Sequence, residues 1–167
     1  MHGMAEVIFE DNTIKLIDAM EDAINAGLEE AAGELESQVK RNQTRGRDTK
    51  NSWQHRVDDA KHVAYVGNPR ENAIWEEFGT GEYALEGKGR RGGYWVYVEG
   101  SPSPSSKGSK TYTLEEAKRV VAMMRSKGLE AHYTKGKRPV RALFNAINSK
   151  KDKLIAIITR HMKGGMT

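Results

Sequence analysis

One apolar stripe governs what this chain can fold into. Ile14, Ile17, Met20, Ile24, Leu28, Ala31, Leu35 and Val39 recur at steps of three and four residues. That period puts side chains on one face of an α-helix. The spacing predicts a helix over residues 14–41, capped at its start by Asn12 or Thr13. At 1.5 Å per residue such a helix reaches roughly 40 Å, which is long for a chain of 167 residues. Gly27 in its middle costs about 1 kcal/mol relative to alanine, so tertiary packing must hold the helix together. The narrow stripe suits a helix lying across a sheet or against a partner.

After a polar, basic stretch, QTRGRDTKN, that reads as a mobile loop, SWQHRVDDA and HVAYVGN read as two short strands. RENAIWEEFG reads as a short helix stopped by Gly79, and six glycines between Gly79 and Gly93 argue against regular structure there. YWVYV has strong β propensity. Beyond the low-complexity stretch GSPSPSSKGSK, Thr113 and Glu116 have the spacing of a capping box and open a further helix. LEAHY alternates like a strand, so residues 94–133 form a strand–helix–strand unit. Pro139 sits at the first turn of a final helix that turns Val140, Leu143, Phe144, Ile147, Leu154, Ile158 and Met162 inward. The expected fold is α+β: a long amino-terminal helix and a carboxy-terminal helix packed on a small, mostly antiparallel sheet, with the strand–helix–strand insertion. A single domain over 1–167 is expected, its core over 5–81 and 134–163 and the glycine-rich loop and insertion over 82–133.

Charge is distributed unevenly. Residues 13–36 carry Lys15 against seven acids, while residues 134–153 carry seven bases against Asp152. These segments, at −6 and +6, imply nucleic-acid contact, acidic and basic faces that meet within the fold or between subunits, or simply two solvated helix faces of opposite sign. No apolar run approaches the ~20 residues of a membrane span. The first residues, MHGMAEVIFE, lack the layout of a secretory signal. The absence of cysteine excludes a disulfide framework and fits synthesis in the cytoplasm.

The catalytic motifs fail on spacing. Gly81 and Gly87-Lys88 are five residues apart, where a phosphate-binding loop needs four. Glu86 and Lys88, with Asp58 and Asp59 upstream, have the order of a metal-dependent nuclease core. They fall, however, at the edge of the loosest segment. His55 and His62 flank the aspartates, but their separation places them on opposite faces of a strand, as exposed histidines. No zinc-type spacing is present. Neither a cofactor nor a metal is expected, and no enzyme activity. Nucleic-acid binding is the stronger alternative: Lys88, Arg90, Arg91, Lys107 and Lys110 lie near Tyr94, Trp95 and Tyr97, and bases with aromatics can contact phosphates and stack on bases.

Three segments, in order, resemble one family. AYVGNPRENAIWEEFGTGEYA (residues 64–84), GRRGGYWVYV and YTKGKRPVRALFNAI (133–147) are similar to the neck and tail-completion proteins of lambda-like long-tailed bacteriophages and related prophages. Thr49 and Ser52 are a poorer echo of another motif of that family, and residues 99–132 are an insertion relative to it. The resemblance implies a structural ring component where the head meets the tail: a homo-oligomer, six copies to a ring, neighbouring head-completion and tail-terminator proteins. It would be made in the host bacterial cytoplasm, end in the virion, contact DNA only in passing and have no membrane role. On that reading Trp75, Phe78, Tyr83 and Trp95 anchor the glycine-rich loop in the core, and Lys88, Arg90 and Arg91 form a free basic tip for a partner.

Overall fold

The computed structural model describes residues 11–87, 89–101 and 110–165, the side chain of Glu86 excepted. In chain order the elements are α1 (Thr13–Asn42), α2 (Arg47–Asn51), β1 (Gln54–Asp58), β2 (Val63–Gly67), α3 (Glu71–Phe78), two 3-10 turns (Gly81–Tyr83 and Leu85–Gly87), β3 (Trp95–Val98), α4 (Leu114–Ser126), β4 (Ala131–Thr134) and α5 (Ala142–Gly165). The fold is α+β, with long helices at both ends. Its strands form two separate antiparallel pairs, β1–β2 and β3–β4, rather than one sheet. The described residues fall into two compact units, one of 11–39, 53–67 and 146–165 and one of 40–52 and 68–145.

In the first unit α1 and α5 run antiparallel at close approach. A Cβ added to Gly27 would stand 3.1 Å from the Ile158 Cα, and one on Gly165 only 2.6 Å from the Ala23 Cβ. The glycine that weakens α1 locally is thus where α5 crosses it. Ala31, Ala32, Val39, Trp53, Ala146 and Ile157 are buried, and the three alanines let backbones come near. Charges finish the contact: Glu34 pairs with Lys150 at 3.2 Å and Lys153 at 2.9 Å, and Glu30 with Arg160 at 2.5 Å and His161 at 2.7 Å. Hydrogen bonds from Lys153 and Lys150 lower the Glu34 carboxyl below its ordinary range, and those from Arg160 and His161 do the same for Glu30. Of the readings of the uneven charge, Glu34 with Lys150 and Lys153 realises the one in which acidic and basic segments meet within the fold, while Asp18, Glu21 and Asp22 stand on an exposed face.

The β1–β2 hairpin pairs Gln54 with Gly67 through to Asp58 with Val63. His55 and His62 are not the free histidines expected. His55 lies between Glu36, 2.5 Å from Nδ1, and Glu29, 3.1 Å from Nε2. The hydrogen bond to Glu36 leads in raising its pKa above the ordinary 6.5, with Glu29 adding to it against some desolvation. His62, in the turn at φ 51°, meets the Asn25 side-chain oxygen at 2.9 Å.

Two features of α1 differ from expectation. Asp11 supplies the hydrogen bonds at its start, accepting from Thr13 N–H at 3.0 Å and from the Thr13 hydroxyl at 2.6 Å. Its apolar stripe also begins later: Ile14 is 76% exposed, and Leu16 and Ile17 are exposed as well. The last described residue of α5, Gly165, lies beside Ala19 and Ala23, one turn and more beyond Ile14.

In the second unit α4 packs on β3–β4 and buries Ala117, Val121 and Ala131, which is the strand–helix–strand unit read from the sequence. The capping box is present: Thr113 Oγ accepts from Glu116 N–H at 3.3 Å, and the Glu116 carboxylate accepts from Thr113 N–H at 2.9 Å. The supposed QTRGRDTKN loop contains α2, entered through Gly46 at φ 67°. The last helix starts at Ala142 instead of Pro139. Val140 N–H is held by the Glu76 carbonyl at 2.6 Å, and Arg141 takes φ 56°, so the helix cannot begin before them. No helix among the described residues is long and apolar enough to cross a membrane.

Candidate docking surface

The segment FGTG after α3 meets the segment KGKRP before α5 backbone to backbone. Thr80 N–H donates to the Lys137 carbonyl at 2.9 Å, Glu82 N–H to the Lys135 carbonyl at 3.0 Å, and Lys137 N–H to Thr80 Oγ1 at 2.9 Å. Glycine is required for this approach. Gly81 has φ 61°, and a Cβ there would run into the Lys135 carbonyl oxygen and stand 2.6 Å from the Trp95 ring. A Cβ on Gly136, φ 125°, would run into the Thr80 carbonyl. Gly89 lies against the Gly81 carbonyl in the same way, so the glycine-rich loop folds back on its own base. Gly89 thus serves contact rather than the freedom expected of it, whereas a Cβ on Gly92 would meet nothing within 4 Å.

The paired acids of α3 complete this base. Glu76 is 3% exposed. Lys137 Nζ stands 3.0 Å from its Oε1 and Arg45 Nε 3.5 Å from its Oε2, while Arg45 also donates to the Arg138 carbonyl. Glu77 accepts from Leu143 N–H and Phe144 N–H, both at 2.9 Å, and so caps α5 with one carboxylate. Neither role was read from the sequence. The only signal for them was the adjacency of two acids to a Phe-Gly helix stop.

Of the expected loop anchors, Tyr83 and Trp95 are half-buried beside this base. Arg90 lies 5.1 Å from the Trp95 ring centroid, Arg138 4.9 Å from that of Tyr83, and Lys135 Nζ 5.5 Å from Tyr83 and 5.9 Å from Tyr94. These rings are engaged by cations of their own chain, which weakens the case for them as base-stacking platforms. Arg91 is exposed. Lys88 lies outside the described residues, as does the side chain of Glu86, whose backbone is in the second 3-10 turn. Asp58 pairs with Lys61 at 2.9 Å inside the hairpin turn.

Trp75 and Phe78 are not core anchors. They are 45% and 51% exposed, and Ile74 is 62% exposed. On a helix, positions 74, 75 and 78 share one face, and the inward positions belong to Ala73 and Glu76. Ile74, Trp75 and Phe78 thus lie exposed on a helix whose two acids, Glu76 and Glu77, are held by ion pairs and hydrogen bonds.

In comparisons with known proteins, no family model and no curated protein matches the chain, and no solved structure matches its fold.

Proposed function

We propose that this chain is a non-enzymatic assembly component of a phage virion, acting at the head–tail joint as one subunit of a closed ring. The observation that carries this reading is the row Ile74, Trp75 and Phe78, three large apolar side chains exposed on one face of a short helix. Exposed apolar surface of this kind marks protein–protein contact, and aromatics are favoured at the centre of such contacts. The segments that resemble the neck proteins, 64–84 and 133–147, are also the ones that build the base beneath this face.

The ring would close head to tail. That requires two different patches on each subunit, and the first turns of α1 offer a second one in Ile14, Leu16 and Ile17. Charge pairing is the weaker motive for assembly, because Glu30 and Glu34 already have partners within the chain. Native mass spectrometry and electron microscopy of assembled particles test the reading. Trp75→Ser with Phe78→Ser should leave a folded monomer that no longer enters the ring, and Ile14→Ser with Ile17→Ser should do the same. A wild-type chain that stays monomeric both alone and in the particle would overturn it.

A further inference from the structure

The open end of β3–β4 carries a cluster that no spacing along the chain announces. Glu99, Glu130 and His132 each offer one ligand atom, and the three atoms lie within 4.8 Å of one another. Strand pairing fixes where they stand. Tyr97 pairs with His132 and Val98 with Ala131, and beyond that last pair Glu99 N–H donates to the Glu130 carbonyl at 2.8 Å. The His132 ring is stacked on Tyr97, centroids 5.5 Å apart and planes at 29°, which restricts its rotation. Its Nε2 is 3.6 Å from the Glu99 carboxylate. That is too long for a hydrogen bond, whose limit is about 3.2 Å. It is close to the ~3.4 Å edge that two ligands make around a tetrahedral zinc at bonds of ~2.1 Å. Glu130 is exposed, and its carboxylate oxygen lies within 4.8 Å of the other two ligand atoms.

We propose that Glu99, Glu130 and His132 form a three-ligand site for a divalent transition cation of the zinc type. An imidazole with two carboxylates suits zinc and its neighbours, whereas magnesium and calcium take all-oxygen shells. Three protein ligands leave a further coordination position for water. The site stands independently of whether α3 docks a partner.

Calorimetric titration of the full chain with zinc chloride, in excess magnesium, tests this. One equivalent of zinc should bind and raise the thermal midpoint. His132→Ala and Glu130→Gln should each lower affinity by about tenfold or more and remove the thermal shift, while His55→Gln changes neither. Glu130 is exposed, so Glu130→Gln keeps the test informative even if the histidine variant misfolds. Zinc binding no tighter than magnesium binding overturns the site, and so does undiminished affinity in Glu130→Gln.

Discussion

In the unit of α1, the β1–β2 hairpin and α5, side chains do the joining. Glu34 reaches two lysines, Glu30 reaches Arg160 and His161, and His55 ties the hairpin to α1 through Glu36 and Glu29. In the unit that holds α3 and the glycine-rich loop, backbone meets backbone: Thr80 with Lys137, Glu82 with Lys135, Val140 with Glu76. Contacts of the first kind are several, half-buried to exposed, and made by flexible side chains that can readjust. Those of the second are few and intolerant of an added methyl group. A chain built both ways should fail differently in its two halves.

The sharpest break should come at Gly81. Alanine there must adopt φ 61° and displace the Lys135 carbonyl and the Trp95 ring. A left-handed residue with a Cβ costs about 1–2 kcal/mol and overpacking about 1–3. Urea unfolding should therefore show a loss of about 3 kcal/mol or more. A Gly81→Ala protein as stable as wild type would mean that the backbone contact is looser than described.

A smaller effect with two opposite signs should separate the glycines of α1. At Gly27 an added Cβ meets the α5 backbone at 3.1 Å, whereas at Gly33 it meets only the His55 ring, at an ordinary 3.7 Å. Both substitutions gain helix propensity of up to about 1 kcal/mol. Gly33→Ala should keep that gain, and Gly27→Ala should lose it to crowding and fall below wild type by up to about 1 kcal/mol. Thermal melts of the two variants side by side are the measurement. Equal gains at both positions would show that α5 yields freely.

The smallest effect is electrostatic. Glu36, with Glu29, raises His55 above its ordinary 6.5, so the folded chain holds that proton more tightly than the unfolded one. The contribution is then complete below about pH 6.5 and fades as pH rises through the higher folded value. The stability difference between wild type and His55→Gln should be greatest near pH 6 and shrink on the alkaline side. Parallel pH profiles for the two proteins would remove His55 from the account.

What could be read from the sequence follows the same division. The stripe from Met20 to Val39, the capping box of Thr113 and Glu116, and the strands at 54–58 and 63–67 rest on local periods and short spacings, and they stand in the structure. The late start of α5 does not, because it depends on Glu76 holding Val140 and Glu77 capping residues 66 and 67 positions away. The family resemblance alone makes core anchors of Trp75 and Phe78. Helix α3 instead gives its inner face to Ala73 and Glu76, and Glu76 finds its partners Arg45 and Lys137 31 and 61 residues away in the chain. The Glu99–Glu130–His132 cluster was hidden for a related reason, since strand pairing joins residues far apart in the chain.

The β3–β4 pairing also bears on how the chain finds its fold. The two sides of the glycine-built base, at Gly81 and Gly136, are 55 residues apart in the chain, and bringing them together first would mean closing one long loop. The register sets Trp95 opposite Thr134, so once β3, α4 and β4 have assembled from their own nearer contacts, most of that span no longer counts as free loop. Shortening a loop several-fold lowers the entropy of closure by about 1–2 kcal/mol. Once paired, the insertion thus acts as a splint that leaves only a short free loop between the two glycines.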